Sequence, residues 1–350
     1  MIRIGCIGVG AINAQIHEPG IRASKDLELV AICDSNEDLL RQRAQEYGIP
    51  EERCFTDYHD LIDCEDVDAV DIAVANFMHM EIALYAAEKG KAYGLEKPIA
   101  LNAEEAEPLV NITREKKIPS VIFFSYRYKP AARYMRALIE SGRIGKIYHV
   151  NMIYYQQWGL PKANTPYVWR FNKKLTGSGA LGDLGSHAMD LASFVTGVEY
   201  TSVSAHNGTF IKERPIPGTD RMGTVDVDDY SNILAETKQG IPCTFQISRF
   251  GYLCPNHQRM EVYGEKGVLV YWIDFEPNVD AVEIKEGEKE EFVRLDIPEE
   301  YTVSQMQEFA DAINGVGDGL TATIEEGYVN QKLLDAVIRS AEERRWEEIR

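Results

Sequence analysis

The stretch GDLGSHAMD, residues 182–190, places Asp183, His187 and Asp190 at spacings of four and three, so a helix there would carry all three on one face. Such a face offers three kinds of chemistry. An acid and an imidazole one turn apart can hold and move a proton, since an ordinary histidine titrates at about 6.5. Two acids and a histidine can also contribute to a metal site, although the chain supplies no HExxH motif and no CxxC pair to complete one. Or Asp183 caps a helix and His187 is a satisfied core histidine. Gly177, Gly179, Gly182 and Gly185 crowd the approach. A glycine inside a helix costs roughly 0.8–1 kcal/mol relative to alanine. So many imply that something large lies against this backbone, either a flat cofactor ring or another helix.

Two further stretches carry chemistry. In GCIGVGAIN, Gly8 and Gly10 suit a turn in which backbone approaches a pyrophosphate, and the helix that follows offers N–H groups and partial positive charge. Asn13 stands at the third glycine position of the GxGxxG fingerprint. Asp34 closes the next apolar run. An acid there accepts hydrogen bonds from a ribose 2′-OH and repels a 2′-phosphate, which favours NAD over NADP. In GLEKPIAL, residues 94–101, Pro98 restricts Lys97 to an extended backbone, so Glu96 and Lys97 point to opposite sides. On its own such a lysine reads as a surface ion-pair partner.

The elements that must hold these residues alternate regularly at first. Apolar runs at Ile2–Ile7, Leu27–Cys33, Ala69–Val74, Ala92–Leu95 and Ser120–Phe124 are separated by helix patterns near 11–24, 36–47, 78–89 and 103–117. Strands apolar on both faces, each followed by a helix, predict a parallel α/β Rossmann sheet covered on both sides. After Tyr128 and a helix over 130–141 the pattern changes. Long strand-like runs at 146–157, 200–211, 229–238, 241–250, 258–264 and 267–273 predict an α+β domain with a large, mainly antiparallel open sheet. Helices near 304–314 and 323–345 close the chain. The expected domains are 1–125, binding NAD, and 126–350, binding substrate and mediating oligomerisation. In KIYHVNMIYYQQW both faces of the strand carry large side chains, so one face is expected to meet helices and the other a second subunit.

Composition narrows the partners. The 350 residues carry 37 basic against 56 acidic side chains, a net charge of −19, which disfavours nucleic acid and anionic membranes. No run reaches the ~20 apolar residues of a membrane span. The first residues read as a strand rather than a secretion signal, so a cytoplasmic location is expected. Cys6, Cys33, Cys54, Cys64, Cys243 and Cys254 read as free thiols, with neither a metal nor a disulfide framework.

Taken together, Gly8, Gly10 and His17 at the start, EKP at 96–98, and GxxxDxGxHxxD over 179–190 resemble the Gfo/Idh/MocA oxidoreductases, which include glucose–fructose oxidoreductase and inositol dehydrogenase. The likeness runs over nearly the whole chain. QQWGLP, WRFNKKLTGSGALGDLGSH and FIKERP look most like the branch containing levoglucosan dehydrogenase and related sugar or cyclitol dehydrogenases. The resemblance implies NAD contacts from Gly8, Gly10, Ala11, Ile12, Asp34, Asn76, His79, Glu96, Lys97, Trp169 and Arg170. It makes Lys97, Asp183 and His187 the catalytic residues. Asn13 and Ala75 depart from the family's usual small residue and proline. It also implies a homo-oligomer, a dimer or tetramer built through the C-terminal sheet.

The expected reaction interconverts a hydroxyl and a ketone on a sugar, glycoside or cyclitol. His187 would take the hydroxyl proton, Asp183 would hold the hydroxyl, and Lys97 would stabilise the alkoxide. Tyr126, Arg127, Gln157, Trp158 and Lys173, with Lys97, Asp183 and His187, are the candidate substrate contacts. Two alternatives share the same motifs: a glycosidase of this fold that oxidises transiently and retains its NAD, and a non-catalytic sensor of sugar or dinucleotide.

Overall fold

The structure is a computed structural model that describes residues 1–275, 278–288 and 290–350. It divides into two compact units, 1–123 with 303–329, and 124–302 with 330–350. The first boundary falls beside the expected one at 125/126. Residues 303–329, expected in the second domain, belong instead to the first unit.

In the first unit, strands β1 (Ile2–Ile7), β2 (Leu27–Cys33), β3 (Cys54–Phe55), β4 (Ala69–Ile72), β5 (Ala92–Leu95) and β6 (Ser120–Ile122) form one parallel sheet in the order β3-β2-β1-β4-β5-β6. The order reverses at β1, so the crevice beyond the carboxyl ends of β1 and β4 is the ligand position of a doubly wound sheet. Helices α1 (Glu18–Ala23), α2 (Glu37–Tyr47), α3 (Tyr58–Asp63), α4 (His79–Glu88) and α5 (Ala103–Lys116) connect the strands. Their starts are written in the sequence: Asn36, Asp57 and Asn102 accept hydrogen bonds from backbone N–H groups of the first turns of α2, α3 and α5. The apolar strands β1, β4 and β5 are buried along most of their length, and Ile4, Cys6, Ile32, Val121 and Phe123 lie at the core. Met306, Phe309 and Ala310 complete that core from the returning segment, which is why an amphipathic helix so late in the sequence belongs here.

The second unit opens with α6 (Pro130–Glu140) and β7 (Ile147–Tyr155), followed by short α7 (Lys173–Thr176) and α8 (Ser186–Thr196). Strands β8 (Tyr200–Gly208), β9 (Glu213–Pro215), β10 (Met222–Thr224), β11 (Tyr230–Thr237), β12 (Cys243–Ser248), β13 (His257–Gly264), β14 (Gly267–Phe275), β15 (Asn278–Glu286) and β16 (Val293–Leu295) come next. With β17 (Glu347–Glu348), all of these except the β9–β10 pair join β7 in a nine-stranded sheet ordered β16-β15-β14-β13-β7-β12-β11-β8-β17. Among the described residues of this sheet only β7 and β12 run parallel. Val150, Met152 and Tyr154 of β7 are buried on the helical side, while His149, Asn151, Ile153 and Tyr155 stay half-exposed on the other. Helices α9 (Gln305–Asn314), in the first unit, and α10 (Ile324–Glu343) end the helical part of the chain.

Candidate active site

In the first unit the glycine turn leaves β1 at Gly8, whose φ of +88° and crowding exclude a side chain: a Cβ there would lie 2.6 Å from the Ala73 carbonyl oxygen. Gly10 faces open space, with nothing within 4 Å of where its Cβ would stand. Ala11 and Ile12 continue it on an exposed helical start. Asp34 sits beside this turn, its carboxylate accepting from Val9 N at 3.1 Å and Asn36 N at 2.9 Å. A carboxylate has about four acceptor positions, so capacity remains for a ribose diol. An open backbone cradle with an acid at the end of β2 fits NAD.

Asn13 explains the imperfect fingerprint. It is buried, donates to Asp71 Oδ2 at 3.2 Å and accepts from Tyr47 OH at 3.1 Å, so a polar side chain fills the room a glycine would leave. His17 also reaches Asp71, at 2.8 Å, and Glu96, at 3.2 Å. Glu96 Oε2 in turn accepts from Lys97 N at 3.2 Å, and the Lys97–Pro98 peptide is cis. His79, expected at the cofactor, is fully buried, with ring nitrogens 2.8 Å from the Pro98 carbonyl and 3.1 Å from the Val74 carbonyl. Burial pushes its pKa down. It supports the Glu96–Pro98 turn from beneath. Asn76 is half-exposed and opens a short turn of 3₁₀ helix over Asn76–Met78.

In the second unit Asp183 lies in a π-helical stretch, Leu181–Gly185, that runs directly into α8 and His187. Asp228 holds the head of that stretch by accepting from Gly179 N and Leu181 N, each at 2.7 Å. Gly179 and Gly185 meet protein rather than open space. A Cβ on Gly179 would collide with the Asp228 carbonyl, and one on Gly185 would lie 3.0 Å from the Leu181 side chain. Neither a flat ring nor a second helix accounts for Gly179; the backbone at Asp228 does. His187 is buried, with Tyr126 edge-on at 4.8 Å between ring centroids and Phe124 beyond it at 6.3 Å.

Asp183 is 25% exposed and faces Arg249, a side chain only 1% exposed, whose guanidinium comes within 3.6 Å. Burial lowers the Arg249 pKa, while Asp183, Asp228 and Asp229 raise it. The guanidinium stacks 4.4 Å above the Trp158 ring. Arg249 was not singled out from the sequence, because one arginine after a strand, in ISRFGY, reads as surface charge. Asp190, the third member of the helical face, is buried in a two-pronged pair with Arg127, at 2.9 and 2.6 Å. That pairing commits both residues to the interior, Arg127 included, although Arg127 was expected on a sugar. Among the described residues no group of three or more His, Cys, Asp or Glu side chains is placed to hold a metal.

The remaining expected contacts are also located. Tyr126 OH meets Tyr154 OH at 2.7 Å and Asn256 at 3.0 Å. Gln156 bonds Asn256 at 2.8 Å and accepts from the Trp158 indole at 2.7 Å, so Tyr126 and Trp158 stand at two ends of one polar network. Gln157 is half-exposed beside Trp158. Trp169 and Arg170 form a short turn with the guanidinium 4.4 Å over the indole. Lys173 opens α7, its ammonium 3.0 Å from Glu342.

Comparison with known proteins agrees with both units. Residues 2–123 match the description "Oxidoreductase family, NAD-binding Rossmann fold", and residues 132–270 match the GFO/IDH/MocA C-terminal domain. Levoglucosan dehydrogenase of Pseudarthrobacter phenanthrenivorans is 34% identical over 69% of this chain and 64% of its own length, just under two thirds of that relative. Myo-inositol 2-dehydrogenase of Thermotoga maritima is 27% identical over 98% of this chain and 97% of its own. The solved structure of a levoglucosan dehydrogenase in complex with NADH superposes with a TM-score of 0.89 at 28% identity, covering 100% of this chain and 99% of that one. With an open glycine cradle, an acid closing β2, and matches to both halves of one family, this chain belongs to the Gfo/Idh/MocA oxidoreductases and carries their NAD-binding Rossmann fold.

Proposed function

We propose that this enzyme interconverts a secondary alcohol and a ketone on a sugar, glycoside or cyclitol, with Lys97, Asp183 and His187 as its catalytic residues. The observation that carries this reading is the pair on the second unit's functional helix. Asp183 is partly open, with a buried arginine at its back, and His187 follows one turn later against the Tyr126 ring. The relatives named for levoglucosan and myo-inositol support a polyhydroxylated ring as substrate.

Oxidation of such an alcohol releases a proton and a hydride. Bound NAD supplies the hydride acceptor. His187 takes the hydroxyl proton as general base. Asp183 accepts a hydrogen bond from the reacting hydroxyl and orients it, with the Arg249 guanidinium 3.6 Å away on its buried side. Lys97 donates to the oxygen as negative charge builds on it. Glu96 holds the backbone of Lys97. Gln157, Trp158 and Lys173 serve as sugar contacts in this reading, the Trp158 indole suiting the apolar face of a sugar and the long polar groups its hydroxyls, while Trp169 and Arg170 serve the cofactor.

The half-exposed sheet face bearing His149, Ile153, Tyr155, Tyr263 and Trp272 supports assembly with a second copy. All six cysteines are free, in keeping with a cytoplasmic enzyme, and among the described residues no helix is long and apolar enough to cross a membrane.

The test is formation of NADH, read at 340 nm, across sugars, glycosides and inositols with NAD and NADP in parallel. Turnover with at least one polyol is expected, with NAD preferred. Lys97→Met should abolish it at an unchanged melting temperature. Near-normal turnover in that variant would overturn the mechanism, and a clear preference for NADP would overturn the role of Asp34.

A further inference from the structure

The first unit buries more charge than its fold requires. Asp71 is an acid in the middle of an apolar parallel strand, and it is fully buried. Its neighbours across the sheet are Cys6 on β1 and Gly94 on β5. Above that row lies a π-helical turn, Asn13–His17, at the head of the glycine-turn helix. Residues four apart in that turn, Asn13 and His17, both reach down to the same carboxylate, at 3.2 and 2.8 Å. Cys6 Sγ adds a third contact at 3.4 Å. The Phe123 ring fills the space over Gly94 and meets His17 edge-on at 4.7 Å, leaving the imidazole little freedom to rotate.

From His17 the chain of bonds leaves the core. Its Nε2 reaches Glu96 Oε1 at 3.2 Å, and the other oxygen of Glu96 accepts from Lys97 N at 3.2 Å. At the opposite end Tyr47 OH, the last residue of α2, donates to Asn13. A continuous path therefore runs Tyr47–Asn13–Asp71–His17–Glu96–Lys97.

Net stability is a weak reason to keep such a cluster. A buried ion pair is often no more stabilising than apolar residues of the same volume, because desolvation offsets the attraction. What it supplies is a fixed geometry, and this one terminates at the backbone of the lysine that the mechanism uses. We propose that His17, donating from both ring nitrogens to Asp71 and Glu96, is a positioning residue that sets the Glu96–Lys97 turn for catalysis and ties it to the glycine-turn helix. The proposal rests on the dehydrogenase reading for the role of Lys97.

The experiment compares His17→Gln and Asn13→Ala with the unaltered protein. Glutamine reaches one carboxylate but not both. A misplacement on the order of 1 Å costs up to about 100-fold in rate. His17→Gln should therefore lower kcat roughly 10- to 100-fold while KM and the NADH dissociation constant, from fluorescence titration, stay within about threefold. Asn13→Ala, which removes one donor from Asp71, should show the same split at a few-fold. Unchanged kcat with only a lower melting temperature would overturn the proposal. So would a collapse of NADH affinity at unchanged kcat.

Two further readouts need no turnover. In the unaltered protein at pH 7.5, NMR should show His17 carrying protons on both ring nitrogens; a single ring proton overturns the proposal even if the variants fail to fold. After ¹³C-dimethylation of lysines, the resonance missing from Lys97→Met should move in His17→Gln or Asn13→Ala, and an unmoved signal counts against the relay. If the unaltered protein oxidises no polyol, the dehydrogenase reading falls, and these two readouts still decide whether His17 fixes Lys97.

Discussion

Among the described residues each unit carries one π-helical stretch, at the head of its functional helix, and the two use their polar side chains in opposite ways. In Asn13–His17 the two buried polar residues, Asn13 and His17, turn inward onto Asp71 and are spent there, while Gln15 faces outward. In Leu181–Gly185 and the turn that follows, Asp183 stays partly open while Asp190 and its partner Arg127 are buried. π-Bulges recur at functional sites because the extra residue re-aims side chains without ending the helix. Here the same device serves two ends. In the first unit it satisfies every acid it touches and holds a turn in place. In the second it leaves one acid partly exposed and buries the other.

That contrast can be broken by mutation. The largest effect should come from the open side: His187→Asn, which keeps shape but not basicity, should lower kcat by about 10²- to 10⁴-fold with little change in melting temperature. An equal loss of stability and rate would place His187 with the anchoring residues. Next, Arg127→Leu leaves Asp190 buried without its main partner and should cost about 3–5 kcal/mol in a denaturant titration. The surviving folded fraction should keep its KM for substrate. A specific rise in KM would return Arg127 to the sugar contacts. Third, Arg249→Met should reduce kcat/KM roughly tenfold, and Arg249→Lys by less, as the charge behind Asp183 is removed or shortened.

The last test is a slope with pH. Burial alone would depress the His17 imidazole, but Asp71, then Glu96, override it and carry its pKa up to about 10. The ordinary unfolded value is about 6.5, so the native state holds one proton more than the unfolded state between those two values. His17 therefore stabilises fully below about pH 6.5, and this contribution is lost as pH rises toward 10. Melting temperature should fall across that window in the unaltered protein and be flatter in His17→Gln. Equal slopes would mean His17 folds neutral.

What could be read from the sequence was local. The glycine turn, Asp34 and the EKP turn each sit within a few residues of a strand end, and strand periodicity places them. The helical face at 183–190 was also legible, but not its division of labour. Asp190 finds Arg127 across 63 positions, and no spacing rule reaches that far. Asp71 did leave a signal, one acid in the apolar run AVDIAV, although its partners come from other elements. Strands β15 and β16 were missed because their alternation pairs apolar residues with Glu283, Lys285 and Arg294, which reads as solvated loop. The helix near 304–314 was expected, but an amphipathic pattern states only that one face is buried, not against which core.

That returning segment limits how the molecule can be taken apart. Residues 303–329 supply Met306, Phe309 and Ala310 to the core built by 1–123, so the nucleotide-binding half is not a contiguous cassette. A chimera that swaps only 1–123 between relatives inherits walls shaped for one sequence and a plug shaped for another. Recombination that respects the core must move two separate stretches together. Wherever this architecture has exchanged cofactor domains, the cut should fall at three points in the chain, not one.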